Sequence, residues 1–484
     1  MTSSLKFPFA SGLKKRQQRR IVAKSARRIL GLTLKTGLPI FEPDASASSI
    51  VYAASGGGKT TCVAVPAILS MLADQSRGII INDVKSGEIA AQIGELCMRY
   101  GRKFAVIDDS FVLGKDSPAR ISLNAFGSAV AAHANNSPDL LFEIESISHT
   151  LIDEPKGDAK NKYFREVPRE FLEFGLLVLL AHNADLATPG GLAALIGDPD
   201  TWNGVIDLEA DEGEEITRSR AKQLKELRDN DPEHYSQHYL AALAALKIFQ
   251  LGAAMHEAGR AAEITHAQLL QENYIICLVQ NQRNAAKLGA YYGLHFNSFM
   301  SAQLSGNCGK TDFIFDEVAN TPAREMIEKV TIQRAFGART IYIAQSRSDM
   351  QRQNGEKEIA MLEDNCAIIQ WLKLSNIEEA ERLSRAMGEI DNVNNNLGFN
   401  SDKNTFSSQF QTGRERLFTA EELMRLPADE QILHIDGVGF VHCKKARQNM
   451  LAPYCFEIGD NPLEGGKLPP DPRVTLPTPD GGAS

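Results

Sequence analysis

No stretch of this 484-residue sequence approaches the roughly 20 consecutive apolar residues that a membrane-crossing helix requires. The longest candidate, "FLEFGLLVLLA" at 171–181, is short, carries Glu173 and reads as a buried helix. The basic N-terminus lacks the apolar stretch and small-residue cleavage site of a secretory signal, so secretion is not expected. The seven cysteines (62, 97, 277, 308, 366, 443 and 455) are scattered and form no C-x-x-C pair. That excludes a disulfide or zinc framework and points to reduced, mostly buried thiols of a cytosolic protein. No internal repeat is present. Acid is missing from one place: residues 1–41 hold ten Lys or Arg and no Asp or Glu. The remainder carries 42 basic against 61 acidic residues, a net of −19 beneath the overall −9. A basic arm on an acidic body is expected to meet something anionic, either nucleic acid or a lipid surface.

What is present is ordinary for a globular chain: 43% hydrophobic and 23% charged residues, long enough for two to four domains. Short β-rich runs alternate with helical patterns in two blocks. The first holds "SIVYA" (49–53), "GIIIN" (78–82) and "KFAVID" (103–108). The second holds "YIICLV" (274–279), "FIFDE" (313–317), "TIYIAQ" (340–345), "AIIQW" (367–371) and "QILHID" (431–436). Continuous apolar strands with intervening helices predict an α/β fold with a mainly parallel sheet covered on both faces. Between the blocks strand signals vanish and Ala- and Leu-rich helical segments take over. The expected organisation is a basic N-terminal segment (1–41), a nucleotide-binding domain in two parts (42–130 and 271–452), an all-α insertion (131–270) and a disordered Pro/Gly-rich tail (453–484).

"VYAASGGGKT" (51–60) follows a predicted strand and precedes the helix "TTCVAVPAILSML". That is the context of a phosphate loop, where glycines bring backbone N–H groups against phosphates at a helix N-terminus. Ser55, Gly56, Gly57, Gly58 and Thr61 belong to this cradle, Lys59 is expected to reach the β- and γ-phosphates, and the Thr60 hydroxyl to bind Mg²⁺. The pattern G-x-x-x-x-G-K-[ST] is met except at its first position, Ala53. "FIFDE" supplies the complementary carboxylates at a strand's carboxyl end. Asp316 suits the metal's outer sphere and Glu317 the base that polarises the attacking water. Gln345, at the end of "TIYIAQ", is expected to face the γ-phosphate. Arg334 is a candidate for a positive charge offered to a neighbouring subunit's phosphate, with Arg339 and Arg347 competing for that role. Asp83, Lys85 and Glu88 lie near the same sheet edge, as a local ion-pair set or as contacts to nucleotide or DNA. No N-K-x-D guanine-reading motif appears, which favours ATP over GTP.

Together these residues resemble the coupling ATPases of conjugative type IV secretion, the TraG/TraD type, a branch of the FtsK/HerA-like P-loop translocases. The phosphate loop with Pro66 in its helix, "IINDVKSGE", "ISLNAF", "FIFDEVAN", "RAFGARTIYIAQSRSDM", "LEDNCAIIQWL", "EEAERLSRAMG" and "LFTAEELMRLPADEQILHIDG" carry the likeness, over roughly 48–128 and 270–440. The resemblance implies a RecA-like ATPase domain using ATP and Mg²⁺, a homo-hexameric ring, and translocation of single-stranded conjugative DNA with an attached relaxase to the type IV channel proteins. It also implies Gln345 as sensor and Arg334 as the finger offered in trans. Three departures stand out: Ala53 replaces the usual glycine, Ser86 is inserted into the family's D-x-K-G-E, and the family's two N-terminal membrane helices have no counterpart. In their place is a basic segment whose Ile21, Val22, Ile29, Leu30 and Leu32 suggest one apolar helix face, suited to peripheral contact with the inner membrane, a membrane partner or DNA phosphates. Alternative readings are a cytosolic ATP-switched adaptor that docks protein substrates, and a HerA-like DNA pump.

Overall fold

The computed structural model describes residues 21–22, 26–43, 48–153, 162–318, 324–400 and 405–479. A single 12-stranded sheet organises them. In chain order its strands are β1 (Ile29–Thr33), β2 (Pro39–Phe41), β3 (Ser48–Ala53), β4 (Arg77–Asp83), β5 (Phe104–Ile107), β6 (Arg120–Ile121), β7 (Ile275–Val279), β8 (Lys310–Asp316), β9 (Ala338–Ala344), β10 (Cys366–Lys373), β11 (Glu430–Ile435) and β12 (Gly439–Lys444). Their spatial order is β2-β1-β12-β11-β10-β3-β9-β8-β4-β7-β5-β6. From β10 to β6 every pairing is parallel; from β10 back to β2 every pairing is antiparallel.

The central strands are buried along almost their whole length, which is why their sequences run apolar without alternation. Successive side chains still point to opposite faces. Val51, Ile79, Ile81, Ile314, Ile341 and Ile343 pack beneath helices α1 (Val65–Met71) and α2 (Glu88–Arg99). Ile50, Tyr52, Ile80, Phe313, Phe315 and Tyr342 face the other way, into a core shared with the long helices Tyr163–Asn183 and Ala285–Leu304. Between β6 and β7 the described residues hold helices and no strand.

Two expectations fail. The apolar helix face through Ile29, Leu30 and Leu32 is instead β1, which pairs with β12 in the sheet. Gly31 permits that pairing, because a Cβ there would lie 2.7 Å from the Lys444 carbonyl oxygen. Ile21–Val22 likewise form a short strand, against Val474–Thr475; residues 1–20 of the basic arm lie outside the described residues. The tail expected to be disordered is folded from 453 to 479. Tyr454, Ile458, Val474 and Leu476 are buried against the α1/α2 side of the sheet. Its prolines interrupt any longer helix, leaving a short 3₁₀ turn at Tyr454–Phe456, but a few spaced apolar anchors suffice to seat an irregular chain.

Candidate nucleotide site

All of the site's elements end at the carboxyl edge of the parallel sheet, where ligands of such folds bind. The order β3-β9-β8-β4 puts the loop after β3, Gln345 after β9, Asp316 and Glu317 at the end of β8 and Asp83 at the end of β4 on one rim. The loop 54–59 runs into a helical turn, Thr60–Ala64, and then α1. Gly56 (φ +71°) and Gly58 (φ +89°) adopt left-handed backbone that favours glycine. Gly57 has no room for a side chain: a Cβ would lie 2.8 Å from the Ala54 carbonyl oxygen and 3.2 Å from Ala53 Cβ. Ala53 itself ends β3 without left-handed backbone, so alanine serves at that position.

Three of the expected residues meet directly. Lys59, buried, pairs its ammonium with Glu317 Oε1, and Gln345 Nε2 donates to Glu317 Oε2 at 3.2 Å. Glu317 holds φ +64°, left-handed backbone for a non-glycine residue at the point where β8 turns back over the loop. Thr60 and Asp316 are joined through Lys85. Its ammonium donates to Thr60 Oγ1 at 3.1 Å and lies 3.3 Å from Asp316 Oδ2. Thr60 Oγ1 in turn donates to Glu88 Oε2 at 3.2 Å. Lys85 and Glu88 therefore belong to the site, whereas Asp83 is structural. Its Oδ2 accepts the backbone N–H groups of Ile89 (2.9 Å) and Ala90 (2.8 Å), so it caps α2. Burial pushes Asp83 up to about 7, against those two N–H bonds and helped by the charges of Asp316 and Glu88. Ser86 and Gly87 both take left-handed backbone (φ +55° and +79°), bulging the loop so that Lys85 and Glu88 face the threonine. The Ser86 N–H bonds the Gln280 carbonyl at 3.0 Å, which absorbs the inserted residue.

Among the remaining expected residues, Ser55 is exposed and Thr61 half-buried on the loop. Arg334 is exposed in the turn before β9, at the strand end opposite Gln345, so it does not meet the site of its own chain. Arg339 drops out as a donor to a neighbour. It is buried and paired with Asp312 (2.6 Å) and Glu42 (2.7 Å), and Asp312 also holds Arg77 at 2.6 Å, tying the amino ends of β4, β8 and β9. Arg347 pairs with Glu363 at 3.1 Å. Sequence reasoning missed Lys445. Its buried ammonium donates to the Gly57 carbonyl at 3.1 Å and the Ala428 carbonyl at 2.8 Å, and burial pushes its pKa down. A lysine just after β12 carries no motif that would have announced this.

The donor set suits a magnesium nucleotide. Asp316 is fully buried, burial raises its pKa against the Lys85 charge, and apart from the Lys85 ammonium at 3.3 Å its oxygens have no hydrogen-bond partner among the described residues. A buried carboxylate beside a threonine hydroxyl, with two ammonium groups at hand, fits a hydrated divalent cation and the phosphates it accompanies.

The type IV secretory system conjugative DNA transfer family model matches residues 11–452. The chain belongs to that family. This family member is 24% identical over 452 residues to conjugal transfer protein TraG of Rhizobium radiobacter, covering 86% of this chain and 64% of that protein. It is 23% identical over 427 residues to conjugal transfer protein TraG of Agrobacterium fabrum, covering 83% and 60%. The chain thus spans less than two thirds of the length of these curated relatives. In fold it is similar to the bacterial conjugative coupling protein TrwBdeltaN70 in its unbound form (TM-score 0.65, 14% identity, 88% of this chain and 89% of that one). It is also similar to plasmid coupling protein TrwB in complex with ADP and Mg²⁺ (TM-score 0.62, 13% identity, 86% and 89%). VirB4 of Thermoanaerobacter pseudethanolicus is more distant (TM-score 0.51, 15% identity, 90% and 100%). These likenesses establish a RecA-like P-loop fold, a large mainly parallel sheet flanked by helices. Among the described residues no helix is long and apolar enough to cross a membrane.

Proposed function

We propose that this chain is an ATP-hydrolysing coupling protein that delivers conjugative DNA, with its attached relaxase, to a type IV secretion channel. The observation that carries the reading is the convergence of Lys59, Thr60, Asp316, Glu317 and Gln345 on one strand-end rim in a chain of the conjugative DNA transfer family. TrwB has been solved with ADP and Mg²⁺ and with non-hydrolysable ATP and GTP analogues, which supports a nucleotide at the corresponding edge here. In this reading the backbone N–H groups of Ser55 to Thr61 and the Lys59 ammonium hold the phosphates. Thr60 and Asp316 hold the Mg²⁺, which when bound neutralises developing charge on the phosphates. Glu317 takes the proton of the attacking water, and Gln345, bonded to its second oxygen, fixes that carboxylate and reads the γ-phosphate. Catalysis here is positioning and electrostatics.

Arg334 completes the site from a neighbouring subunit, which requires a ring; its exposure at the strand end away from its own phosphate loop supports that arrangement. Residues 42–130 and 271–452 then form the motor domain, joined by β1, β2 and the folded chain to 479, and 131–270 an all-α insertion. The chain works at the cytoplasmic face of the inner membrane, where its basic N-terminal segment meets lipid, DNA or a membrane partner. The decisive test is the rate of ATP hydrolysis with and without single-stranded DNA, paired with a mass measurement in ATP and Mg²⁺. DNA stimulation and a six-fold mass are expected; a hydrolysis rate indifferent to DNA would sink the motor reading.

A further inference from the structure

The residues matched by the family model end at 452, yet the folded chain continues to 479 and returns to the phosphate loop. Its path runs along the first turns of α2. The Gly459 N–H donates to the Gln92 carbonyl at 2.9 Å, and a Cβ on Gly459 would lie 2.6 Å from the Ala91 carbonyl oxygen, so backbone seats directly on helix. Gln92 is held again by Gln448 Nε2 at 2.8 Å, while Glu457 takes Arg99 at 2.9 Å and the Tyr100 hydroxyl at 2.8 Å. Val474–Thr475 lock the far end by pairing with Leu451–Ala452. Between these anchors Asn461, 1% exposed, points into the site. Its Nδ2 donates to Glu88 Oε1 at 2.7 Å, and its Oδ1 accepts the Leu463 N–H at 2.9 Å, closing the turn it sits in.

Glu88 is thus pinned by both oxygens: Oε1 by Asn461 and Oε2 by the Thr60 hydroxyl, with Lys85 at 3.7 Å. It needs pinning. It opens α2 directly after two left-handed residues, and its carboxylate is 4% exposed, so an oxygen without a donor would be costly. Resting on the nucleotide-site reading, we propose that Asn461 is a positioning residue: the C-terminal strap holds Glu88 against the phosphate-loop threonine and thereby sets how tightly the site takes the divalent cation that accompanies nucleotide. Groups that orient a ligand's neighbours in this way alter metal affinity by about 10- to 100-fold when removed.

Asn461→Asp is the discriminating variant. It keeps the oxygen that closes the turn, so the strap retains its fold, but it sets a carboxylate against Glu88. The readout is the Mg²⁺ concentration at half-maximal binding of a fluorescent ATP analogue to the full chain, beside binding without Mg²⁺. The expected result is about a 10-fold rise in the Mg²⁺ requirement with Mg²⁺-free binding unchanged. Adding Glu88→Gln restores the hydrogen bond with donor and acceptor exchanged, and is expected to recover most of the loss. A Mg²⁺ requirement within twofold of wild type in Asn461→Asp, or equal losses with and without Mg²⁺, overturns the proposal while leaving the nucleotide site standing. Failure of the unaltered chain to bind the analogue overturns the nucleotide site itself, and the strap's role with it.

Discussion

Replacing Glu317 by glutamine removes one charge and preserves the shape of the side chain. Both Glu317 and its partner Lys59 are 6% exposed, so their pairing is a buried one. Deleting a partner from such a pair costs about 3–5 kcal/mol, because the other charge is stranded. Glutamine costs less, since its amide oxygen still accepts from Lys59. Hydrogen bonds to charged groups contribute about 1.5–3 kcal/mol against 0.5–1.5 kcal/mol for neutral ones, so the change weakens the contact by roughly 1–1.5 kcal/mol. If, as proposed, nucleotide draws Lys59 away from Glu317 toward phosphate, that weakening returns as tighter binding, about 5- to 10-fold. Turnover moves the other way: loss of the base lowers it by about 10²- to 10⁴-fold. Equilibrium binding of a fluorescent ATP analogue with Mg²⁺ and steady-state phosphate release measure the two effects on one preparation. Weaker binding in Glu317→Gln would refute the claim that Lys59 is held off phosphate by this pair. Turnover within threefold of wild type would remove Glu317 from the chemistry.

Gly57→Ala places a Cβ 2.8 Å from the Ala54 carbonyl oxygen, and neither that backbone nor the end of β3 can swing aside. Analogue affinity is expected to fall more than about 10-fold, with the far-ultraviolet dichroism spectrum unchanged. Lys445→Ala strips the donor from the Gly57 and Ala428 carbonyls; the buried Gly57 carbonyl carries a cost of about 1–3 kcal/mol, while the exposed Ala428 can turn to water. Thermal unfolding should come at lower temperature and nucleotide should bind more weakly; an unchanged affinity would detach Lys445 from the loop. His266 and His295 touch at 3.1 Å in full burial, which holds His266 well below its usual range and His295 at about 3. Unfolded imidazoles take protons below about pH 6.5 while the buried His295 resists to about 3, so the unfolded chain binds more protons across that window. Stability therefore rises with pH there, by up to about 1.4 kcal/mol per pH unit per histidine. His295→Gln should flatten the dependence of the urea midpoint on pH between 6.5 and 5 relative to wild type, and an identical slope would rule the pair out as its source. Arg334→Ala should fold normally and lose hydrolysis at concentrations where subunits assemble, and full activity in the assembled state would exclude it as the trans group.

Much of the site was legible because its determinants are local. A glycine-rich turn between an apolar strand and a helix must present its N–H groups, wherever the rest of the chain goes. An apolar run ending in two acids must put Asp316 and Glu317 at a strand's carboxyl end. Parallel pairing followed from the same run, since a strand buried on both faces cannot alternate. The contacts that tune the site left no such trace. Lys85, Glu88, Lys445 and Asn461 come from separate elements and carry no periodicity or motif in common; they act because the fold brings their polar atoms within hydrogen-bond distance. Arg339 competed with Arg334 for the trans role until the sheet buried it beside Asp312 and Glu42. β1 and the chain beyond 452 were misread for one reason: helix faces and disorder are inferred from composition and spacing, whereas β1 is held by β12 and the strap by α2, both hundreds of residues away in sequence. The sequence by itself determined where the glycine-rich turn sits and where the parallel strands run, because sterics and burial act along the chain. Tertiary structure alone decided which charges face that phosphate loop and what holds them there, because Coulombic and hydrogen-bond energies depend on distances that only the packed chain sets.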